Sequence, residues 1–439
     1  PGFDALRPLL ESFERLPAAQ LPRDLRADLR DYQTRAVGWL GFLREAGLGA
    51  LLADDMGLGK TVQILSFLHS QGALGESPVL VVCPASVVPV WQAEVERFFR
   101  GTPVRVLSRK DPFEPESKAL WISSYTQLRR NKHLLHDIEF SFAVLDEAQS
   151  IKNPDAKVTQ ACLAIRSTHR IALTGTPLEN RPLDLWTLFR FLMPGFLGTR
   201  RHFEDQTKRN PGFLETLRKQ IAPFILRRTK SAVAKELPPK VEINYTCALT
   251  PVQRRYYTAL TTGAESEFKG EMADILREKR MHLFGLLTRL RQVCCDPSLL
   301  PGHNDHYTHS GKLLSLINRL DEALSNGSKI VVFSQFVEFL KRARAVSLSE
   351  FPDIPQLELT GSTLDRMQPV KEFNETKGPA IFFISLRAGG TGLNLQAADY
   401  VFLLDPWWNP AVEDQAIDRV HRIGQQNRVI VYRLVTKGT

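Results

Sequence analysis

The sequence predicts an α/β fold of two lobes, each a parallel sheet flanked by helices, and two observations carry that reading. Short apolar runs rich in Val, Ile, Leu and Phe alternate with amphipathic, helix-like stretches. Runs this short, bounded by Gly, Pro or charge, suit strands buried on both faces of a parallel sheet. The alternation also occurs twice, on either side of a stretch where no such run dominates. A chain of 439 residues is in any case too long for one compact core.

In the first half the expected strands are Ala50–Ala53, Val79–Val82, Phe142–Leu145 and Arg170–Leu173; in the second they are Lys329–Phe333, Ala380–Ile384, Tyr400–Leu404 and Val429–Leu434. Polar, periodic stretches between them supply the crossover helices. From Leu183 to Ser310 a helical insertion is expected. Within it, Arg277 to Val293 places Leu283, Leu287 and Leu290 on one face, and Leu237-Pro238-Pro239 marks a point no helix can cross.

Composition narrows the partners. The chain is 43% hydrophobic and 24% charged, ordinary for a soluble protein, and its formal net charge of +9 favours a polyanion, nucleic acid ahead of a membrane surface. The longest apolar stretch, Pro78 to Trp91, is interrupted by Pro84 and Pro89 and is too short to span a bilayer. Five cysteines without a C-x-x-C pair suit neither a disulfide framework nor a zinc ribbon, so a reduced, intracellular setting is expected. The chain opens at Pro1 without a signal-peptide pattern and is expected to be a processed or excised piece. His303, His306 and His309, with Asp305 between them, read as a solvated loop rather than a metal site.

The sharpest chemical signal is Ala53-Asp54-Asp55-Met56-Gly57-Leu58-Gly59-Lys60-Thr61, between a strand and a helical segment over Thr61 to His69. Gly57 and Gly59 let the backbone wrap a phosphate, and the helix N-terminus directs N–H groups at it. Lys60 would reach the β- and γ-phosphates and Thr61 would ligate Mg²⁺. Asp54 breaks the strict pattern at its first position, and a plain glycine turn is the alternative reading. Asp146 and Glu147 follow an apolar strand, where one carboxylate can hold Mg²⁺ and the other deprotonate water. Adjacent acids there can equally be solvated, but together with Lys60 they form a clamp and a metal ligand at one sheet edge. Near the other end, Arg419 and Arg422 are expected on a helix that begins after Pro410, three apart and so on one face. They read either as a solvated basic stripe or as arginine fingers, which are worth roughly 10³–10⁵ in rate in such chemistry.

These segments, taken with others in order, resemble the Swi/Snf-type ATPases of helicase superfamily two. The match runs from Leu29-Arg30-Asp31-Tyr32-Gln33 to Tyr432-Arg433-Leu434. It includes Leu173-Thr174-Gly175-Thr176-Pro177, Leu226-Arg227-Arg228-Thr229-Lys230, Leu290-Arg291-Gln292-Val293-Cys294 and Ser310-Gly311-Lys312-Leu313. Val332-Phe333-Ser334-Gln335-Phe336, Ala388-Gly389-Gly390-Thr391-Gly392-Leu393-Asn394-Leu395 and Asp405-Pro406-Trp407-Trp408-Asn409-Pro410 complete the series.

The resemblance implies two RecA-like lobes of the P-loop NTPase class with helical insertions between them. It implies a lead-in over 1–26, an ATP-binding lobe over 27–195, an insertion over 196–309 and a helicase C-terminal lobe over 310–439. It also implies ATP with Mg²⁺, and an ATPase that moves on double-stranded DNA without separating the strands, remodelling protein–DNA complexes. By resemblance Gln33 reads the adenine, with Tyr32 or Arg30 nearby; Lys60, Thr61 and Asp146 bind phosphate and Mg²⁺; and Glu147 is the base. Thr174 and Thr176 couple nucleotide to DNA, Gly390 touches nucleotide, and Arg419 and Arg422 complete the site. DNA contacts are expected from Ser86, Trp91, Ser334, Gln335, Thr391 and Trp408, with core packing the alternative for the tryptophans. Asp54 ceases to be an exception, since family members often carry an acid there.

Two departures stand out: Gln149 replaces a His common in the family, and the chain stops at Gly438-Thr439, where members usually continue into a bracing segment. The competing readings are a strand-separating or RNA-directed helicase and an ATP-gated DNA clamp with little turnover. A monomer acting in the cytoplasm on a prokaryotic nucleoid is expected, with a nucleus as the alternative and a DNA-bound protein as the open cargo.

Overall fold

The computed structural model describes residues 19–108, 118–131, 138–175, 182–234, 236–267, 280–302, 306–363, 365–389 and 392–439, with side chains left out at 265–267. The chain divides into two compact units, Pro1–Lys235 and Glu236–Thr439. Each is built on its own parallel sheet.

The first sheet holds β1 (Ala50–Leu52), β2 (Val79–Cys83), β3 (Val104–Val106), β4 (Leu120–Ser124), β5 (Glu139–Leu145), β6 (Arg166–Leu173) and β7 (Ile225–Leu226). Their spatial order is β3-β4-β2-β5-β6-β1-β7, parallel throughout. The second holds β8 (Lys240–Cys247), β9 (Lys329–Ser334), β10 (Gln356–Leu359), β11 (Ala380–Ser385), β12 (Tyr400–Leu403) and β13 (Val429–Thr436). These run in the order β10-β11-β9-β12-β13-β8, again parallel. Parallel strands need crossover helices, which cover both faces, so inner strands such as β2 and β11 are buried from end to end.

Every strand expected from an apolar run is present. The segment expected to be a helical insertion is not a body of its own. It gives β7 to the first sheet and β8 to the second, with helices such as Arg200–Arg209 and Arg280–Cys295 around them. β8 reads Lys-Val-Glu-Ile-Asn-Tyr-Thr-Cys, the alternation of a strand half exposed at a sheet edge, and a search for continuous apolar runs passes over it.

In the first unit the register places three chain turns at one edge. Leu52 pairs with Leu173, and Leu145 with Ala172, so parallel β1, β5 and β6 all end there. The Thr174 N–H continues the ladder to the Leu52 carbonyl at 3.1 Å, and the Asp146 N–H to that of Val82 at 2.8 Å. Among the described residues, no helix is long and apolar enough to cross a membrane.

Candidate nucleotide site

The loop after β1 enters helix Lys60–Ser70 through two residues in the left-handed region, Gly57 at φ 85° and Gly59 at φ 76°. Glycine is needed at 59 for space as well: a Cβ there would lie 2.5 Å from Gln33 Nε2. The helix opens with no side-chain cap, which leaves its first N–H groups facing the loop, as an anion cradle requires. Lys60 Nζ donates to the carbonyls of Asp54 at 2.6 Å and Asp55 at 3.3 Å. Gln33 is buried against the same loop; its Nε2 donates to the Leu58 carbonyl at 3.1 Å, and its Oε1 accepts from the Arg30 N–H at 3.0 Å. Its amide therefore shapes the loop, joined by Tyr32 Oη, which donates to the same carbonyl at 2.9 Å.

Asp146 and Glu147 follow β5. Trp91 Nε1 donates to Asp146 Oδ2 at 2.9 Å, and the Glu147 N–H to Asp146 Oδ1 at 2.9 Å. Tyr125 Oη donates to the Asp146 carbonyl at 2.8 Å. Burial, with Glu147 beside it, pushes the Asp146 carboxyl above the usual carboxylate range; the Trp91 bond and the Lys60 cation oppose the rise. Glu147 sits at φ 52°, a conformation that no other non-glycine residue adopts among those described. Such a backbone costs on the order of 1–3 kcal/mol and persists only where its surroundings hold it. Gln149 is part of that hold. Its Nε2 donates to Glu147 Oε2 at 2.7 Å, and its Oε1 accepts from Thr174 Oγ1 at 3.0 Å.

The donor chemistry fits Mg²⁺. The carboxylate of Asp146, just after β5, and the hydroxyl of Thr61, in the first turn of the helix after β1, are hard oxygen donors at one sheet edge. The two bonds on Asp146 use one site on each oxygen, where a carboxylate offers about four.

Several expected contacts fall elsewhere. Trp91 is fully buried, with its indole N–H on Asp146, so it supports the acidic pair rather than facing DNA. Thr174 is buried and spent on Gln149. Ser334 is fully buried and donates to Asp405 Oδ1, a buried carboxylate that needs donors. Ser86 and Gln335 are half-buried, and the Trp408 ring is 67% exposed beside the Arg291 guanidinium, 5.2 Å from its centroid. Thr176, Gly390, Thr391, His303 and Asp305 lie outside the described residues.

Arg419 and Arg422 do not share a helix face. The helix starting at Pro410 ends at Ile417, and both arginines stand in the turns that follow. The Arg419 carbonyl instead accepts from the Leu395 N–H at 3.0 Å, and Gly424 at φ 101° turns the chain toward β13.

Two features leave little trace in the sequence. Asp54 is an ion-pair partner of Arg228, and its position in place of glycine is the available signal. Lys312 is buried, with Nζ donating to the Leu404 carbonyl at 2.6 Å; its segment Ser310-Gly311-Lys312-Leu313 is recognisable in the sequence, but this distant partner is not.

Comparison with known proteins gives the family. The SNF2-related domain matches residues 32–299, and the Helicase conserved C-terminal domain matches 312–424. An "Uncharacterized ATP-dependent helicase" of Mycoplasma pneumoniae is 36% identical over 94% of this chain and 40% of its own length. The "Putative ATP-dependent helicase/translocase YwqA" of Bacillus subtilis is 34% identical over 98% of this chain and 48% of its own. The chain thus spans less than half the length of these curated relatives. Among solved structures, the Sulfolobus solfataricus SWI2/SNF2 ATPase core in complex with dsDNA is 34% identical, covering 96% of this chain and 91% of that one, with a TM-score of 0.51. With two parallel sheets of the RecA type and the family's match across more than half its length, the chain belongs to the SNF2-related family.

Proposed function

We propose that this chain hydrolyses ATP and uses the cycle to move along double-stranded DNA without parting the strands, remodelling proteins bound there. The observation that carries the reading is the gathering of three chain turns at one sheet edge. They are the Lys60 loop, the Asp146–Glu147 pair, and Thr174 joined to Glu147 through Gln149.

Each group has a role in that reaction. The loop N–H groups and Lys60 bind the β- and γ-phosphates, the Lys60 ammonium moving from the Asp54 and Asp55 carbonyls to do so. Thr61 and Asp146 would hold Mg²⁺, which when bound would offset charge on the phosphate oxygens. Glu147, aimed by its own backbone conformation and the Gln149 amide, takes the proton of the attacking water. Arg419 and Arg422 supply the guanidinium groups that stabilise charge in the transition state, a role assigned by resemblance.

The similar Sulfolobus ATPase core is in complex with dsDNA, which supports a duplex as the partner here. A net charge of +9 suits a phosphate backbone. Of the expected contacts, Trp408, Gln335 and Ser86 keep surface to offer. Contacts to phosphates carry no sequence information, so binding is sequence-tolerant and weakens steeply with salt.

The test is ATPase rate against duplex DNA, single strands and RNA, paired with displacement of a third strand from a triplex. Stimulation by duplex with ATP-dependent triplex displacement and no strand separation supports the proposal. Preference for RNA, or unwinding, makes the chain a helicase in the strict sense. Binding without turnover makes it a clamp.

A further inference from the structure

Asp54 takes the place of a glycine in the phosphate loop, and its carboxylate is fully buried on Arg228. Arg228 Nε donates to Asp54 Oδ1 at 2.9 Å and Nη2 to Oδ2, a two-pronged pair, while the Arg228 backbone N–H reaches Oδ1 at 3.1 Å. The same guanidinium gathers the loop's other supports. Nη2 donates to Gln63 Oε1 at 2.8 Å, Nη1 to the Tyr32 carbonyl, and its carbon lies 4.8 Å from the centre of the Tyr32 ring. Tyr32 Oη and Gln63 Nε2 both donate to the Leu58 carbonyl, at 2.9 and 3.1 Å, two residues before Lys60.

The backbone closes the same arrangement. The Ala53 N–H donates to the Leu226 carbonyl at 2.7 Å, the Asp55 N–H to that of Arg228 at 3.0 Å, and the Lys230 N–H to Asp55 Oδ2 at 3.0 Å. The loop is therefore zipped to residues 226–230, which extend the β1–β7 pairing and run on to the end of the first unit at Lys235. Lys60 rests on the carbonyls of the two residues so held, Asp54 and Asp55.

We propose that Arg228 is a positioning residue for ATP: by clamping Asp54 it sets the loop that presents Lys60 and Thr61, and it ties that loop to the segment leading out of the unit. The inference rests on Gly57–Thr61 being the phosphate cradle. Lysine cannot substitute, because a single ammonium cannot make the parallel pair of bonds.

The experiment is titration of a fluorescent ATP analogue with Mg²⁺ into the whole chain, alongside KM, kcat and the thermal midpoint. Arg228→Lys is expected to weaken binding by about tenfold to a hundredfold and to raise KM, with kcat at saturation changed by less than about threefold. The double variant Asp54→Asn/Arg228→Gln removes both charges, leaves no uncompensated ion inside, and should show the same loss of affinity. Arg342→Lys disturbs another buried pair, Arg342 Nε to Asp296 Oδ2 at 2.7 Å in the second unit. It should lower the midpoint while leaving ATP affinity within about twofold.

Unchanged affinity in either Arg228 variant, or equal weakening in Arg342→Lys, overturns the inference. Failure of both Arg228 variants to fold would also overturn it, since the pair would then serve folding alone. Undiminished binding by Lys60→Ala would instead show that the cradle itself was misassigned.

Discussion

Gln149 joins Glu147 to Thr174: its amide donates to the Glu147 carboxylate at 2.7 Å and accepts from the Thr174 hydroxyl at 3.0 Å. One neutral side chain thus connects the proposed base to the end of the neighbouring strand β6. Gln149→Ala should free the Glu147 carboxylate to turn away from water, lowering kcat by about tenfold with ATP affinity within about twofold. Steady-state kinetics beside nucleotide titration checks this; an unchanged kcat would mean the bridge does not aim the base.

Lys60 and Glu147 should fail differently. Under the proposed assignment Lys60→Ala removes the cation that would meet the phosphates, so binding itself should be lost. Glu147→Gln keeps the shape and the cradle, so ATP binds while turnover falls on the order of a hundredfold or more. Nucleotide titration and single-turnover hydrolysis separate the two, and turnover near wild type in the Glu147 variant would remove it from its role.

Trp91 donates its only side-chain hydrogen bond to Asp146 and has no exposed surface. Trp91→Phe keeps most of the packing and loses the bond, so the Mg²⁺ concentration for half-maximal activity should rise several-fold, roughly as for other groups that orient metal ligands. Duplex affinity and its salt dependence should stay as they are. A weakened, salt-shifted DNA affinity with unaltered Mg²⁺ demand would return Trp91 to the DNA surface.

Asp405 gives a pH signature. Burial raises its carboxyl to about 6, against the bonds from Ser334 and the Gln335 backbone and the nearby Lys312 and Arg291 cations. A carboxyl raised on folding holds its proton more tightly in the folded chain. Its contribution is present below the unfolded value of about 4 and is lost as pH climbs through about 6. Asp405→Asn cannot titrate, so its thermal midpoint relative to wild type should rise between those values and level off above them. A difference independent of pH would show that Asp405 titrates alike in both states.

The inner strands are legible in the sequence because burial on both faces demands continuous apolar runs, as in Val79–Val82 and Ala380–Ile384. Edge strands are not. β3 is three residues with Arg105 in the middle, β7 is two residues, and β8 and β10 alternate. The Gly57–Thr61 loop and the Asp146–Glu147 pair stand after strands β1 and β5 as their local spacing leads one to expect. Partnerships across long separations, such as Arg228 with Asp54 or Trp91 with Asp146, leave no mark on spacing. Arg419 and Arg422 read as part of the helix that begins after Pro410, yet that helix ends at Ile417 and the Arg419 carbonyl accepts from the distant Leu395 N–H.

In the proposed cycle, duplex DNA drives ATP hydrolysis at Lys60 and Glu147, and the Arg419 and Arg422 guanidinium groups are needed for it. The most direct measurement is the duplex-stimulated ATPase rate of Arg422→Ala beside wild type, with nucleotide affinity measured on the same preparations. ATP binding should stay intact while the stimulated rate falls by roughly a thousandfold, as for arginine fingers in related chemistry. A variant that hydrolyses ATP on duplex DNA at the wild-type rate would contradict it.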